Sequence, residues 1–160
     1  MTVNKKLIRR SVLSTYRFGH WVYYSVKMPG VRHLLLLVYA VLDMVFVRIA
    51  AGSEIPAECH IGKGFQIPHA TGIVIRKNVR IGDNVVILHQ VTIGANPPSR
   101  ARKGGSPKIG NNVYIGAGAK ILGPVSVGDN ARIGANAVVV QDVPANATAV
   151  GVPARVVRES

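Results

Sequence analysis

Aliphatic residues recur at every sixth position through most of the chain after residue 52, and this period constrains the fold more than any other feature. Glycine follows the recurring residue in seven repeats, and a small or β-branched residue stands four places after it in most. An α-helix would need a spacing near 3.6 residues, and an isolated strand would need simple alternation. The period therefore predicts short strands joined by tight turns and stacked into a parallel β-helix. The recurring residues are Ile61, Ile67, Ile75, Ile81, Ile87, Ile93, Ile109, Ile115, Ile121, Val127, Ile133 and Val139.

Two of the steps between these residues are longer than six. Ile67 and Ile75 are eight residues apart, which predicts a two-residue bulge in one coil. Ile93 and Ile109 are sixteen apart, which predicts a loop at about residues 97–106. That loop is rich in Pro and Gly and carries three cations, so it is either a flap over a neighbouring site or a solvated surface loop. Its cations are Arg100, Arg102 and Lys103.

Two histidines stand at matching places in this repeat. His69 lies two residues after Ile67, and His89 lies two residues after Ile87. If the bulge is local, the two histidines share one corner of neighbouring coils, with backbones about 4.8 Å apart. The same column then continues through Ala117 and Ala135. A single histidine would by default be structural, but two in register beside a cationic loop favour a site for proton transfer and a smooth track for a long, thin ligand.

The first fifty residues differ from the rest in composition. They hold eight Lys/Arg against one acidic residue, and seven of the nine aromatic residues. We therefore divide the chain into a basic, aromatic-rich helical segment at residues 1–51 and a β-helix domain at 52–160. Two helices are expected, at Asn4–Lys27 and Val31–Ala50, with a break near Pro29.

The second of these helices contains the apolar run Leu34–Val47, which is interrupted by Asp43. A membrane-spanning helix needs about twenty apolar residues, so this shorter run favours a core or interfacial helix. Two interpretations stay open. The helices pack on the main domain as a lid or an oligomerisation segment, or they bind peripherally to the anionic inner face of a membrane.

The formal charge of +13 implies an anionic partner. Nucleic acid is not predicted, because only Phe65 and Tyr114 are aromatic after Gly52. The single Cys59 excludes an intramolecular disulfide and suits a reducing cytoplasm. No metal site is expected, because the remaining histidines are dispersed and lack acidic companions. They are His20, His33 and His60.

Several segments resemble the serine O-acetyltransferase branch of the hexapeptide acyltransferases. They are PHATGIVI, HQVTIG, SPKIG, IGAGAKILG, IGANAVVV, DVP and AVGVPARVV, between Glu54 and Val157. The resemblance implies a left-handed β-helix with three hexapeptides per coil, acetyl-CoA as acetyl donor, and a homotrimer with active sites between subunits. It also implies that His69 is the catalytic histidine and that Glu54 orients it.

Three positions depart from the pattern of serine acetyltransferases. Pro68 replaces an aspartate before the histidine, and Gly105 and Ser106 replace an Arg-His pair in the loop. These changes remove groups that hold serine, so the chain is more similar to colanic acid and other exopolysaccharide O-acetyltransferases. The predicted function is therefore acetyl transfer from acetyl-CoA to a hydroxyl of a sugar or exopolysaccharide precursor. The alternatives are serine O-acetylation for cysteine biosynthesis, and a non-enzymatic scaffold or polyanion-binding protein.

The expected mechanism is direct transfer without an acyl-enzyme. His69 would act as general base, with His89 as a second catalytic candidate, and backbone N–H groups near Gly94 and Ala95 would stabilise the oxyanion. The protein would act in the cytoplasm, with contact at the inner face of the membrane left open. The residues expected to contact acetyl-CoA are Gly94, Ala95, Ala117, Lys120, Arg132, Ala135 and Arg155.

Overall fold

The computed structural model describes residues 5–94 and 105–159. Helix α1 spans Lys5–Ser25 and helix α2 spans Pro29–Leu42, which continues without a break into a π-helical segment at Asp43–Ile49. Pro29 stands in the first turn of α2, where its missing N–H costs nothing. The expected pair of N-terminal helices is therefore present.

Helix α1 is fixed to the first coil of the β-helix by a buried tyrosine. The Tyr16 hydroxyl donates to the Cys59 carbonyl at 2.9 Å and accepts from the Ile61 N–H at 3.1 Å. Burial raises the pKa of Tyr16 above its ordinary value, so this phenol stays neutral and keeps both bonds. The helical segment is thereby held in one position against the coils that carry the histidines.

Thirteen short strands follow among the described residues, and twelve of them form three parallel ladders. The bounds are β1 His60–Ile61, β2 Val74–Ile75, β3 Arg80–Ile81, β4 Val86–Ile87, β5 Thr92–Gly94, β6 Lys108–Ile109, β7 Tyr114–Ile115, β8 Lys120–Leu122, β9 Ser126–Val127, β10 Arg132–Ile133, β11 Val138–Val139, β12 Ala147–Val150 and β13 Arg155–Glu159. The sheet orders are β1-β3-β6-β9, β2-β5-β8-β11 and β4-β7-β10-β12, and β13 adds antiparallel to β12.

The recurring aliphatic residues point inward and stack in columns, one for each sheet. Ile87, Ile115 and Ile133 follow one another in register, and each is at most 1% exposed. A fully buried side chain of this size contributes roughly 1.5–3 kcal/mol, so stacked columns account for the stability of a fold with such short strands. The prediction of a left-handed parallel β-helix preceded by short helices is confirmed.

Turns between strands use the left-handed backbone region, where asparagine is tolerated best after glycine. At one corner the asparagines also bond to one another through their side chains. Asn84 donates to Asn112 at 3.3 Å, Asn112 to Asn130 at 3.1 Å, and Asn130 to Asn146 at 2.9 Å. In the ranges 5–94 and 105–159 the non-glycine residues with positive φ are Asn78, Asn84, Gln90, Asn112, Asn130, Asn136 and Asn146.

The last helical residue is Ile49, and the first bridge of the β-helix joins Glu54 to Val74. The division of the chain at residues 51 and 52 stays a prediction. Of the predicted loop at 97–106, only Gly105 and Ser106 lie among the described residues. The three cations of that loop therefore lie outside them, as does Ala95.

Candidate active site

The two-residue bulge lies at His69 itself. Gln66 pairs with Val86, twenty residues further on, whereas Val74 pairs with Thr92, eighteen residues further on. The Gln90 N–H already donates to the Thr71 carbonyl, so the two extra residues fall between Gln66 and Thr71. His69 thus lies within the bulged segment, and its side chain is exposed.

This placement corrects the predicted column in one detail. The Gly118 N–H donates to the backbone carbonyl of His89, just as the Gln90 N–H donates to the backbone carbonyl of Thr71 one coil earlier. By register, therefore, the equivalent of His89 is Thr71, and His69 reaches the same corner from the bulge. Thr71 is exposed, and the buried side chain before β2 is Ile73.

The two histidines nevertheless meet. Their ring centroids are 5.7 Å apart and the rings stand at 86° to one another. His69 is exposed and His89 is half-buried. Both line a cleft of about 300 Å³ that is closed on one side by helix α1, through Ile8. The remaining residues that line it are Pro68, Ala70, Thr71 and Gln90.

A buried serine holds the bulge in place. The Ser53 hydroxyl donates to the Ala70 carbonyl at 2.7 Å and accepts from the Ile73 N–H at 3.0 Å. Ser53 is only 4% exposed, so neither backbone group has water as an alternative partner. The sequence analysis did not identify Ser53. It could have done so, because Ser53 is polar at a position of the repeat where later coils have the apolar residues Val91 and Ala119.

The turn at His89 and Gln90 has a strained backbone conformation, and hydrogen bonds from Lys120 stabilise it. Gln90 has φ 59°, a conformation that costs a residue other than glycine roughly 1 kcal/mol or more. The Lys120 ammonium donates to the Gln90 carbonyl at 2.7 Å and to the Gly118 carbonyl at 3.0 Å. Lys120 therefore stabilises this corner, and its role towards acetyl-CoA stays a prediction.

Glu54 lies beside the bulge but is not bonded to His69. Its backbone bonds to the residues on both sides of Val74, since its N–H donates to the Ile73 carbonyl and its carbonyl accepts from the Ile75 N–H. Because Ser53 points inward, the next side chain points to the outer face, where Glu54 is half-buried. No hydrogen bond joins its carboxylate to the imidazole within the described part of the chain, so its orienting role stays a prediction.

The predicted track along the corner is regular beyond His89. The Asn136 N–H donates to the Ala117 carbonyl at 2.8 Å, which continues the ladder that joins Gly118 to His89. Ala135 is exposed and Ala117 half-buried, so these coils present little side-chain bulk at the corner. A long ligand could therefore lie along it.

Three other predicted contact residues lie away from this corner. Arg132, on β10, stacks over the Tyr114 ring at 5.2 Å. Arg155 begins β13, and its guanidinium donates to the neighbouring Ala154 carbonyl at 3.1 Å. Gly94 ends β5, three residues beyond Val91, which is about 10 Å along a strand. Within one chain, Gly94 and His89 thus lie on either side of Val91 along the same coil.

Cys59 is not a nucleophile. Burial raises the pKa of its thiol to about 12, and the thiol donates to the Pro56 carbonyl at 2.9 Å. A thiolate is the reactive form of cysteine, so this side chain is inert near neutral pH. Among residues 5–94 and 105–159, no three His, Cys, Asp or Glu side chains are grouped so that they could hold a metal ion.

The chain is similar in sequence and in structure to known transferases. The bacterial transferase hexapeptide family (six repeats) matches residues 106–141. The serine acetyltransferase of Mycobacterium tuberculosis is 41% identical over 145 residues, which are 91% of this chain and 58% of that protein. The serine acetyltransferase of Brucella abortus, solved in complex with coenzyme A, aligns with a TM-score of 0.78 at 35% identity, over 96% of this chain and 57% of that chain.

The serine acetyltransferase of Neisseria gonorrhoeae, solved in complex with serine, aligns with a TM-score of 0.73 at 38% identity. The alignment covers 91% of this chain and 55% of that one. The chain therefore spans less than two thirds of the length of each of these three proteins.

The sugar acceptor predicted from the sequence is wrong. The relatives that match over nine tenths of the chain are serine acetyltransferases, and the nearer similarity to exopolysaccharide enzymes is not supported. That prediction gave Pro68, Gly105 and Ser106 more weight than they carry, because three substitutions do not outweigh 41% identity over 145 residues. Residues 106–141 thus match the hexapeptide family model, and over nine tenths of its own length the chain is similar to serine acetyltransferases.

Proposed function

We propose that the protein is an acetyl-CoA-dependent serine O-acetyltransferase. The observation that carries the proposal is the pair His69 and His89, which meet in a cleft at one corner of a β-helix similar to that of serine acetyltransferases. The exposed bulge presents one imidazole to an acceptor, and an imidazole exchanges protons near neutral pH. The site is expected to act in the cytoplasm, where acetyl-CoA is made.

In the proposed reaction His69 removes the proton from the serine hydroxyl as the oxygen attacks the thioester carbon. A tetrahedral oxyanion forms, the carbon–sulfur bond breaks, and the CoA sulfur takes the proton back from His69. General base catalysis of this kind contributes about 10²–10⁴-fold. His89, edge-on to His69, would hold the orientation of its ring, and Glu54 would stabilise the imidazolium from the outer face.

The proposed oxyanion donors require a second subunit. Because Gly94 ends β5 and His89 lies three residues before β5 begins, a site that uses both Gly94 and the histidine pair is more easily formed between two copies. This separation supports a homotrimer with active sites between subunits. Acetyl-CoA would then lie along the corner formed by His89, Ala117 and Ala135.

Thiol release tests the proposal directly. The purified chain is incubated with acetyl-CoA and L-serine, free CoA is followed with a thiol reagent, and the product is identified by mass spectrometry. We expect CoA release that depends on serine and yields O-acetylserine. L-Alanine is the matched control, because it lacks only the hydroxyl and should release no CoA above background.

CoA release that does not depend on serine, or the absence of release, would contradict this function. In the second case, binding to immobilised CoA separates the remaining possibilities. A chain that binds CoA but does not acetylate serine is an acyltransferase with another acceptor, whereas a chain that binds no CoA is a scaffold.

Ser53 is expected to act as a positioning residue for this reaction. Ser53→Ala leaves the buried Ile73 N–H and Ala70 carbonyl without partners, which costs about 1–3 kcal/mol in stability and loosens the bulge that carries His69. We expect kcat to fall about tenfold or more, with little change in KM for acetyl-CoA, because the corner along which the donor lies is unaltered.

The matched control for this variant is Ser126→Ala, which removes the same hydroxyl from an exposed strand position. It should change neither kcat nor the thermal midpoint. If Ser53→Ala lowers the thermal midpoint while kcat stays at the wild-type value, Ser53 is structural only and the positioning role is lost.

A further inference from the structure

The outer side of the helix Pro29–Ile49 is a large apolar surface that the reaction above does not use. In the described part of the chain it is the one helix long and apolar enough to cross a membrane. No residue of α2 is buried. Leu34, Leu37 and Ile49 are 63%, 64% and 74% exposed. Large apolar patches on a soluble protein mark a surface that meets a partner or a membrane.

The exposed apolar side chains follow one face of this helix. Most neighbours along the face are three or four residues apart, the spacing of an amphipathic helix. A shallow groove on this face is lined wholly by aliphatic side chains, Leu37, Val38, Val41 and Leu42. We call this face the apolar stripe, and it consists of Leu34, Leu37, Val38, Val41, Met44, Val45 and Ile49.

The opposite face of the helix is fixed to the rest of the protein. The Tyr39 ring packs against Gly19 of α1, where a methyl group would have no room. The Tyr39 hydroxyl accepts from the Ala57 N–H at 3.2 Å, and the Ser53 N–H donates to the Val47 carbonyl at 2.9 Å. A helix that spans a bilayer would draw these polar coils into the hydrocarbon, so only a flat orientation is compatible with them.

The charges around the stripe are positive. In the first fifty residues the sole acidic side chain is Asp43, which is buried and paired with Arg48 at 2.8 Å. The helical segment therefore presents no free carboxylate. Arg10 lines a groove with Leu42 and Phe46 near one end of the stripe, and Lys27 is exposed just before α2 begins.

We propose that the apolar stripe docks flat on an anionic phospholipid surface. Apolar side chains would enter the boundary between headgroups and acyl chains, as in interfacial amphipathic helices. The surrounding cations would meet lipid phosphates, and each cation near such a surface adds about 1 kcal/mol. A second copy is a poorer occupant, because two stripes face to face would bring two strongly basic segments together.

Vesicle flotation of the full chain tests this docking. The probes are vesicles of phosphatidylcholine alone and of phosphatidylcholine mixed with phosphatidylglycerol. We expect binding to the mixed vesicles, little binding to the neutral ones, and weakening by added salt. The double variant Leu37→Glu/Val41→Glu should lower binding to the mixed vesicles by about tenfold or more.

The matched control is Val157→Glu, since Val157 is 61% exposed on β13, away from the stripe. It should bind the mixed vesicles like wild type. Equal binding of the double variant and wild type would overturn the proposal. The proposal would also be overturned if the stripe instead holds copies of the chain together. In that case the wild type would not bind vesicles, and light scattering would show a lower mass for the double variant than for the wild type.

Vesicle binding and acetyl transfer can be tested independently. The double variant should keep its circular dichroism spectrum and its serine-dependent CoA release, because the stripe lies outside the cleft. A variant that loses vesicle binding but keeps transfer supports docking alone, and failure of wild type to acetylate serine leaves the vesicle result unchanged.

Discussion

His69→Ala should reduce serine-dependent CoA release by about 10²–10⁴-fold, the range expected when a general base is removed. The physical reason is that the serine hydroxyl is a poor nucleophile until its proton is taken. The exposed His69 imidazole is the group that the bulge presents to an acceptor. The measurement is initial CoA release at saturating acetyl-CoA, on protein shown by light scattering to keep the wild-type oligomeric state.

The matched control is His33→Ala, because His33 is an exposed histidine on α2, outside the cleft. That variant should retain wild-type rates. His89→Ala should show a smaller loss than His69→Ala, since His89 touches the base and not the acceptor. If His69→Ala keeps activity within a few-fold of wild type, His69 is not the base, and His89 becomes the group to test.

Ile115→Ala should destabilise the β-helix by about 2–5 kcal/mol, the range for removing a buried Ile side chain. Ile115 is fully buried and lies between Ile87 and Ile133 in the stacked column. The three strands that carry these residues, β4, β7 and β10, are only two residues long, so the packing of this column contributes strongly to the stability of their coils. Denaturant unfolding monitored by circular dichroism measures the loss.

The control for this change is Val157→Ala, in which the truncated side chain is 61% exposed. It should cost less than about 0.5 kcal/mol, as surface substitutions usually do. A loss below about 1 kcal/mol for Ile115→Ala would mean that neighbouring coils close the cavity, and that the columns are less rigid than the stacked geometry indicates.

The sequence carried most of the information about the fold because a solenoid is a local structure. Each coil contacts only its neighbours, so a period of six residues is enough to predict which side chains point inward. Ile87, Ile115 and Ile133 were assigned to the core from spacing alone, and all three are buried. The same arithmetic predicted that His69 and His89 share a corner, where their rings are 5.7 Å apart.

Spacing could not predict the place of the bulge within its coil. An eight-residue step between Ile67 and Ile75 is equally consistent with extra residues before or after Thr71, and only the hydrogen-bond register distinguishes them. Ser53 was missed for a related reason. Its partners Ala70 and Ile73 come from the next coil, and their pairing depends on where the extra residues lie.

The acceptor was the weakest sequence inference. It depended on single positions, Pro68 and the two loop residues Gly105 and Ser106, taken one by one against a family pattern. Recognition of a small polar substrate depends on groups that converge in space, and other side chains can take over such a role. Similarity over nine tenths of the chain is therefore the better guide to the acceptor.

By itself the sequence determined the β-helix, its inward columns and the corner that carries the histidines, because these follow from a local period. Only the tertiary structure decided that His69 projects from a bulge held by Ser53, and that helix α1 borders one side of the cleft. The tertiary structure alone also shows that the apolar stripe of the helix Pro29–Ile49 is exposed. These features arise from contacts between segments far apart in the chain, and no periodicity records them.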